Sequence, residues 1–203
     1  MHSFWQILQN TIAEMASIAV VAVFVQNIIL TRAMGTSAAL FIIRKKNNLW
    51  LFGGILTGII TLSSILVYGV DKMMKSWSAR YEWTPFFYVL AVGIVYILVL
   101  LLCSRLPFQY REQIIPMIHL SAFNGAVFGA LLLSQSYDFW GRIAFGLGTG
   151  CGFVLASYLV ALGYERLNSD KIPAAFRGFP ITLIYIGMLS LAFYGLVGHE
   201  LSI

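Results

Sequence analysis

The sequence predicts an all-α integral membrane fold of six transmembrane helices in two inverted three-helix repeats, with the first and fourth helices broken at mid-membrane. Three observations carry this prediction. Of the 203 residues, 60% are hydrophobic and 10% charged, against about a quarter charged in a soluble domain. Six apolar stretches approach the roughly 20 residues that cross a bilayer core. Amides interrupt two of those stretches at corresponding places.

The first stretch covers residues 12–31 and contains VFVQNIILTR, with Gln26 and Asn27 among apolar neighbours. An unpartnered amide in hydrocarbon costs several kcal/mol. A break whose freed backbone groups bond to the amides removes that cost, whereas the simpler alternative is ordinary interhelical hydrogen bonding, worth about 0.6–2 kcal/mol per group. The second and third stretches cover 50–68 and 86–106. The fourth, 114–134, contains SAFNGAVFGA, in which Asn124 precedes Gly125. The fifth and sixth cover 139–164 and 179–198. Trp50, Trp77, Trp83 and Trp140 fall at predicted ends, where amphipathic rings favour the interface.

Setting Asn27 against Asn124 gives an offset of 97, which places Trp50 on Leu147 and Phe86 on Leu183. Spans one to three thereby fall on spans four to six. Three spans per half reverse the second half, as in inverted-topology repeats, and paired interruptions in such repeats point to discontinuous helices meeting near the midplane. The halves are 1–106 and 107–203 of a single membrane domain.

The loops after spans one, three and five carry Arg32, Arg44, Lys45, Lys46, Arg105, Arg111, Arg166, Lys171 and Arg177; the opposite side carries Lys72, Lys75, Arg80 and Arg142. The positive-inside rule puts the first group in the cytoplasm and both termini outside. The net charge of +5 is scattered through short loops, which argues against nucleic acid as a partner. MHSFWQ has no basic n-region or cleavage site, so no removable signal peptide is expected.

No nucleophile–base arrangement appears, and the chain alone is expected to hold no catalytic residue. Cys103 and Cys151 are far apart, without a Cys/His cluster, and predict no metal site. Glu14 is expected at the outer interface, His119 in a hydrogen bond to a neighbouring helix, and Arg32 snorkelling to the cytoplasmic surface. An ion path is open to backbone carbonyls at the breaks, with oxygens from Asn27, Asn124 and Ser37. GLGTGCGF, residues 146–153, lacks the Lys-Ser/Thr ending of a phosphate loop and reads as small-residue helix packing.

ERLNSDKIPAAFRG (165–178), followed by GMLSLAFYGLVG (187–198), resembles the end of the Rnf/Nqr membrane subunits, with RnfA the most similar branch. Asn27 with Gly35, and Asn124 with Gly129, match the family's two broken helices. The resemblance implies a pair with a homologous six-helix subunit of opposite topology in the bacterial cytoplasmic (inner) membrane. Flavin and iron–sulfur redox subunits would complete a complex coupling electron transfer to sodium or proton translocation. It also implies a subunit contact at Arg177, and a 2Fe–2S-type cluster held by one cysteine from each broken helix. Ser37 and Gly125 stand at those two positions here. Since four thiolates are the usual shell, the expected chain contributes no cluster ligand. The scaffold redeployed as a transporter or membrane assembly component remains the alternative.

Overall fold

The computed structural model describes residues 2–44, 48–167, 169 and 172–197. Lys45, Lys46 and Lys171 of the charge count, and Gly198 at the end of the sixth stretch, lie outside the described residues. The described chain is helical without strands: α1 (His2–Phe24), α2 (Ile28–Arg32), α3 (Thr36–Arg44), α4 (Leu49–Met74), α5 (Arg80–Cys103), α6 (Phe108–Ala122), α7 (Gly125–Leu133), α8 (Phe139–Leu167) and α9 (Phe179–Val197). Single 3-10 turns at Ser134–Ser136 and Ala174–Phe176 complete the order.

Among the described residues, Trp5–Phe24 of α1, all of α4 and α5, and Phe139–Tyr164 of α8 are long and apolar enough to cross a membrane. The pair α6 and α7, bent by 50°, makes a fifth such unit, and Phe179–Gly195 is a shorter apolar helix. Helix starts follow local chemistry. The Asn48 side chain caps α4, accepting from the Leu51 N–H at 3.1 Å. Asp138 does the same for α8, accepting from the Gly141 N–H at 2.7 Å.

Two elements depart from the stretches read in the sequence. α1 starts at His2, ten residues before the expected span, because Gln6, Gln9 and Asn10 are polar but none of them breaks a helix. α4 continues six residues past the expected end at Tyr68, since the Asp71 carboxylate within it has partners on two other helices.

α8 is the spine. Thr61 touches Gly146, Thr57 touches Gly150, and Val154 touches Gly53. The falling numbers on α4 against rising numbers on α8 make the two helices antiparallel. On another side of α8, Ile18 meets Gly141, Ala19 and Ala22 meet Gly148, and Val23 meets Gly152, so α1 runs parallel to it. A glycine at these steps lets the backbones approach to a distance that a side chain would prevent. GLGTGCGF is therefore a helical packing surface, as the sequence suggests.

The register of α1 on α8 also locates Glu14. Ile18 lies beside the first turn of α8, and Met15 and Ile12 share a shallow pocket with Trp140. Glu14 is exposed one turn before Ile18, level with a tryptophan of the kind that marks an interface. Residues before it continue the helix beyond the start of α8.

Candidate functional site

Asn27 joins the ends of two helices. It is fully buried, in extended conformation at the start of α2, and its Oδ1 accepts from the Ile29 and Leu30 N–H groups at 3.1 Å each. Its Nδ2 donates to the Val23 carbonyl of α1 at 2.9 Å and to the Gly152 carbonyl of α8 at 2.8 Å. One amide thus serves donors at the head of one helix and an acceptor at the tail of another, using all its ordinary hydrogen-bonding capacity. Gly152 is the fourteenth of the 29 residues in α8, which places this break at the middle of the longest helix.

After α2 the chain turns through Ala33, at φ 54°, and Gly35, at φ 82°. The Ala33 N–H donates to the Ile29 carbonyl at 2.9 Å and the Met34 N–H to the Ile28 carbonyl at 3.1 Å. The Ser190 hydroxyl of α9 donates to the Leu30 carbonyl. The short helix α2 is therefore tied at both ends and along its side.

The second break lies at Phe123 and Asn124. The Asn124 Oδ1 accepts from the Ala126 N–H at 3.1 Å and caps α7. Its Nδ2 is buried without a hydrogen-bond partner. The breaks meet at Gly35: a Cβ there would lie 2.8 Å from the Ala126 Cβ, 2.9 Å from a Phe153 ring carbon and 3.1 Å from the Asn124 Oδ1. Gly129 of α7 likewise lies against Met34 and Ile28.

Asn27 and Asn124 thus occupy one buried centre. Gln26 lies half-buried at the edge of the first break, and Ser37 and Gly125 are on exposed surface beside it. A Cβ on Gly125 would be 3.9 Å from the Gly35 N, so this position borders the chain segment leading to Ser37. A hydroxyl and a hydrogen atom at the two positions do not fit a cluster bound by thiolates. Cys151 adjoins Gly152 at the level of the break, closer in height than its sequence position suggests, but its side chain is exposed; Cys103 ends α5.

The remaining expected residues lie apart from this centre. His119 Nδ1 and the Tyr96 hydroxyl of α5 are 2.7 Å apart, the expected bond to a neighbouring helix. Arg32 is exposed in the last turn of α2. Arg177 is exposed, and its Nε donates to the Ile172 carbonyl at 2.7 Å, folding the proline-containing loop on itself.

A second polar group is hidden in the sequence. Arg142, 4% exposed, pairs with Asp71 at 2.7 Å, and its Nε and Nη2 donate to the Tyr137 and Gln135 carbonyls at 3.2 and 3.3 Å. The buried Tyr88 hydroxyl donates to the same Asp71 oxygen at 2.7 Å. Counting Arg142 as a loop charge obscures this. Asp138, capping the helix four residues before it, is the available signal that Arg142 begins a helix.

The family model described as "Rnf-Nqr subunit, membrane protein" matches residues 15–199. The RnfA protein of the Na(+)-translocating ferredoxin:NAD(+) oxidoreductase complex from Acetobacterium woodii is 30% identical over 190 residues, covering 91% of this chain and 97% of the relative. The RnfA protein of the ion-translocating oxidoreductase complex from Syntrophotalea carbinolica is 32% identical over 180 residues, 87% of this chain and 93% of its own. Its counterpart from Vibrio cholerae O395 is 28% identical over 191 residues, 93% and 89% respectively. With a family match along nearly its full length and a helical membrane architecture, the chain belongs to the Rnf-Nqr family of membrane subunits.

Proposed function

We propose that this chain is a membrane subunit of an Rnf-type ion-translocating electron-transport complex, in the RnfA position, and that it contributes no iron–sulfur ligands. The observation carrying the assignment is similarity over about nine-tenths of the chain to the RnfA proteins of such complexes. Ser37 and Gly125 at the two helix breaks carry the cluster-free part. In this reading the breaks order a polar centre at the exposed edge, where a homologous six-helix subunit of opposite topology docks. The two halves, 1–106 and 107–203, form inverted three-span repeats in the bacterial cytoplasmic membrane with both termini outside. Flavin- and iron-carrying subunits supply the electron path, and this chain supplies scaffold and part of the ion route at Gln26, Asn27 and Asn124.

The test is iron analysis and electron paramagnetic resonance of the gently solubilised, reduced complex, with co-purifying subunits identified by mass spectrometry. Redox subunits without a cluster assignable to the membrane pair are expected. A stoichiometric cluster in that pair overturns the cluster-free assignment. A chain that purifies without redox partners overturns the complex assignment and favours the scaffold's use in transport, for which the missing thiols are the motivating observation.

A further inference from the structure

Where α4 ends, α5 begins and α8 starts, a cavity of about 210 Å³ opens to the surface, lined by Asp71, Arg80, Tyr81, Thr84, Gln135 and Arg142. A water takes up about 30 Å³ of liquid, so the space admits a group several times larger. Its charge is unbalanced. Two guanidinium groups line it against one carboxylate, and the Asp71 Oδ2 is already committed to Arg142 and the Tyr88 hydroxyl. The Arg80 guanidinium bonds the Tyr81 hydroxyl and lies 4.5 Å from that ring centre; among the described residues it has no carboxylate partner. Arg142 is nearly fully buried, and its Nη1 has no hydrogen-bond partner.

The surroundings restrict what such a site meets. Trp77 and Trp83 stack with ring centres 6.0 Å apart beside it, and Trp140 lies in the first turn of α8. Lys72 lies over the Tyr68 ring and Lys75 is exposed at the end of α4. The nearby carboxylates Glu82 and Asp138 do not line the cavity, and Asp138 is occupied with the Gly141 N–H. Aromatic rings and basic residues together mark the headgroup level of a bilayer. Guanidinium groups recognise tetrahedral oxyanions through paired N–H donors.

We propose that this cavity is a binding site for a phosphate group, taken from an anionic phospholipid headgroup or from free phosphate, with Arg80 and the Nη1 of Arg142 as donors and Tyr81 and Thr84 supplying hydroxyls. The Arg142–Asp71 pair holds the inner donor in place, and Arg80 closes the open side. Ligand binding to the folded state raises its apparent stability, which gives a direct readout.

The full chain, with the subunits that accompany it, is purified in phosphate-free maltoside micelles and its melting midpoint measured with phosphatidylglycerol or inorganic phosphate against chloride. Retained lipid is counted by native mass spectrometry. Arg80→Gln and Tyr81→Phe leave the buried pair intact. Stabilisation by phosphatidylglycerol alone identifies a headgroup site, and stabilisation by inorganic phosphate identifies a site for the free anion. In either case Arg80→Gln should weaken the response about tenfold, the effect of one charge-assisted hydrogen bond. Failure of both additives to exceed chloride, or an unchanged response in Arg80→Gln, overturns the proposal.

Discussion

Asn27 and Asn124 are the same residue type at the same kind of helix start, yet their contributions to stability should differ. Asn27 uses both ends of its amide, whereas Asn124 places only its oxygen. Asn27→Ala strands buried donors and acceptors on three helices and should cost about 3 kcal/mol or more. Asn124→Ala loses a single cap and should cost about 1 kcal/mol. Melting midpoints in one detergent check the order; equal losses would contradict the bonding described. Gly35→Ala combines a left-handed backbone with a Cβ pressed between Ala126 and Phe153, and should destabilise by about 2–3 kcal/mol. Both amides can be read from the sequence because a polar residue in an apolar run is conspicuous. That Gly35 is where the breaks touch cannot be read, since Ala126 and Phe153 are remote in sequence.

Helix ends separate what the chain discloses locally from what it conceals. The starts of α4, α8 and α9 agree with the sequence to within a residue, and Asn48 and Asp138 supply local caps for the first two. The end of α4 is concealed because Asp71 reads as a loop residue until Arg142, 71 positions later, is brought beside it. Removing one member of a buried pair typically costs 3–5 kcal/mol, whereas replacing both with apolar groups is often neutral. Asp71→Leu alone should therefore destabilise by about 3 kcal/mol, and Asp71→Leu with Arg142→Met should recover most of the loss in chemical denaturation. The separation of α2 from α3 is also concealed, because its turn uses Ala33 in a conformation that usually selects glycine. Ala33→Gly should raise stability by up to about 1 kcal/mol, measured as an upward shift in melting midpoint.

Across the chain, α8 holds α1 parallel and α4 antiparallel, as successive crossings in alternate directions require. The offset of 97 carries Asn27 to Asn124 but puts the start of α4, Leu49, at residue 146, seven residues inside α8. The connection after the second break is shorter because α7 reaches α8 through one 3-10 turn, whereas α2 reaches α4 through the additional helix α3. Spacing alone cannot disclose an extra helix in one half. Orientation is testable in intact cells: on a Cys103→Ser, Cys151→Ser background, a cysteine at Lys75 should react with a membrane-impermeant maleimide from outside and one at Arg105 should not. The reverse pattern would invert the assigned topology.

The glycine steps on α8 recur every four residues, Gly148 and Gly152 under α1, Gly146 and Gly150 under α4. They act as detents on a rail. A sliding helix finds its next seat only after about 6 Å, four residues of rise, and in any intermediate position its neighbours ride up on side chains. A shift of α1 by one seat would also carry Asn27 away from the Gly152 carbonyl. Movement within this protein is therefore channelled into stretches without such notches, and the two-break centre serves as a fixed fulcrum about which α5 and α9 can tilt.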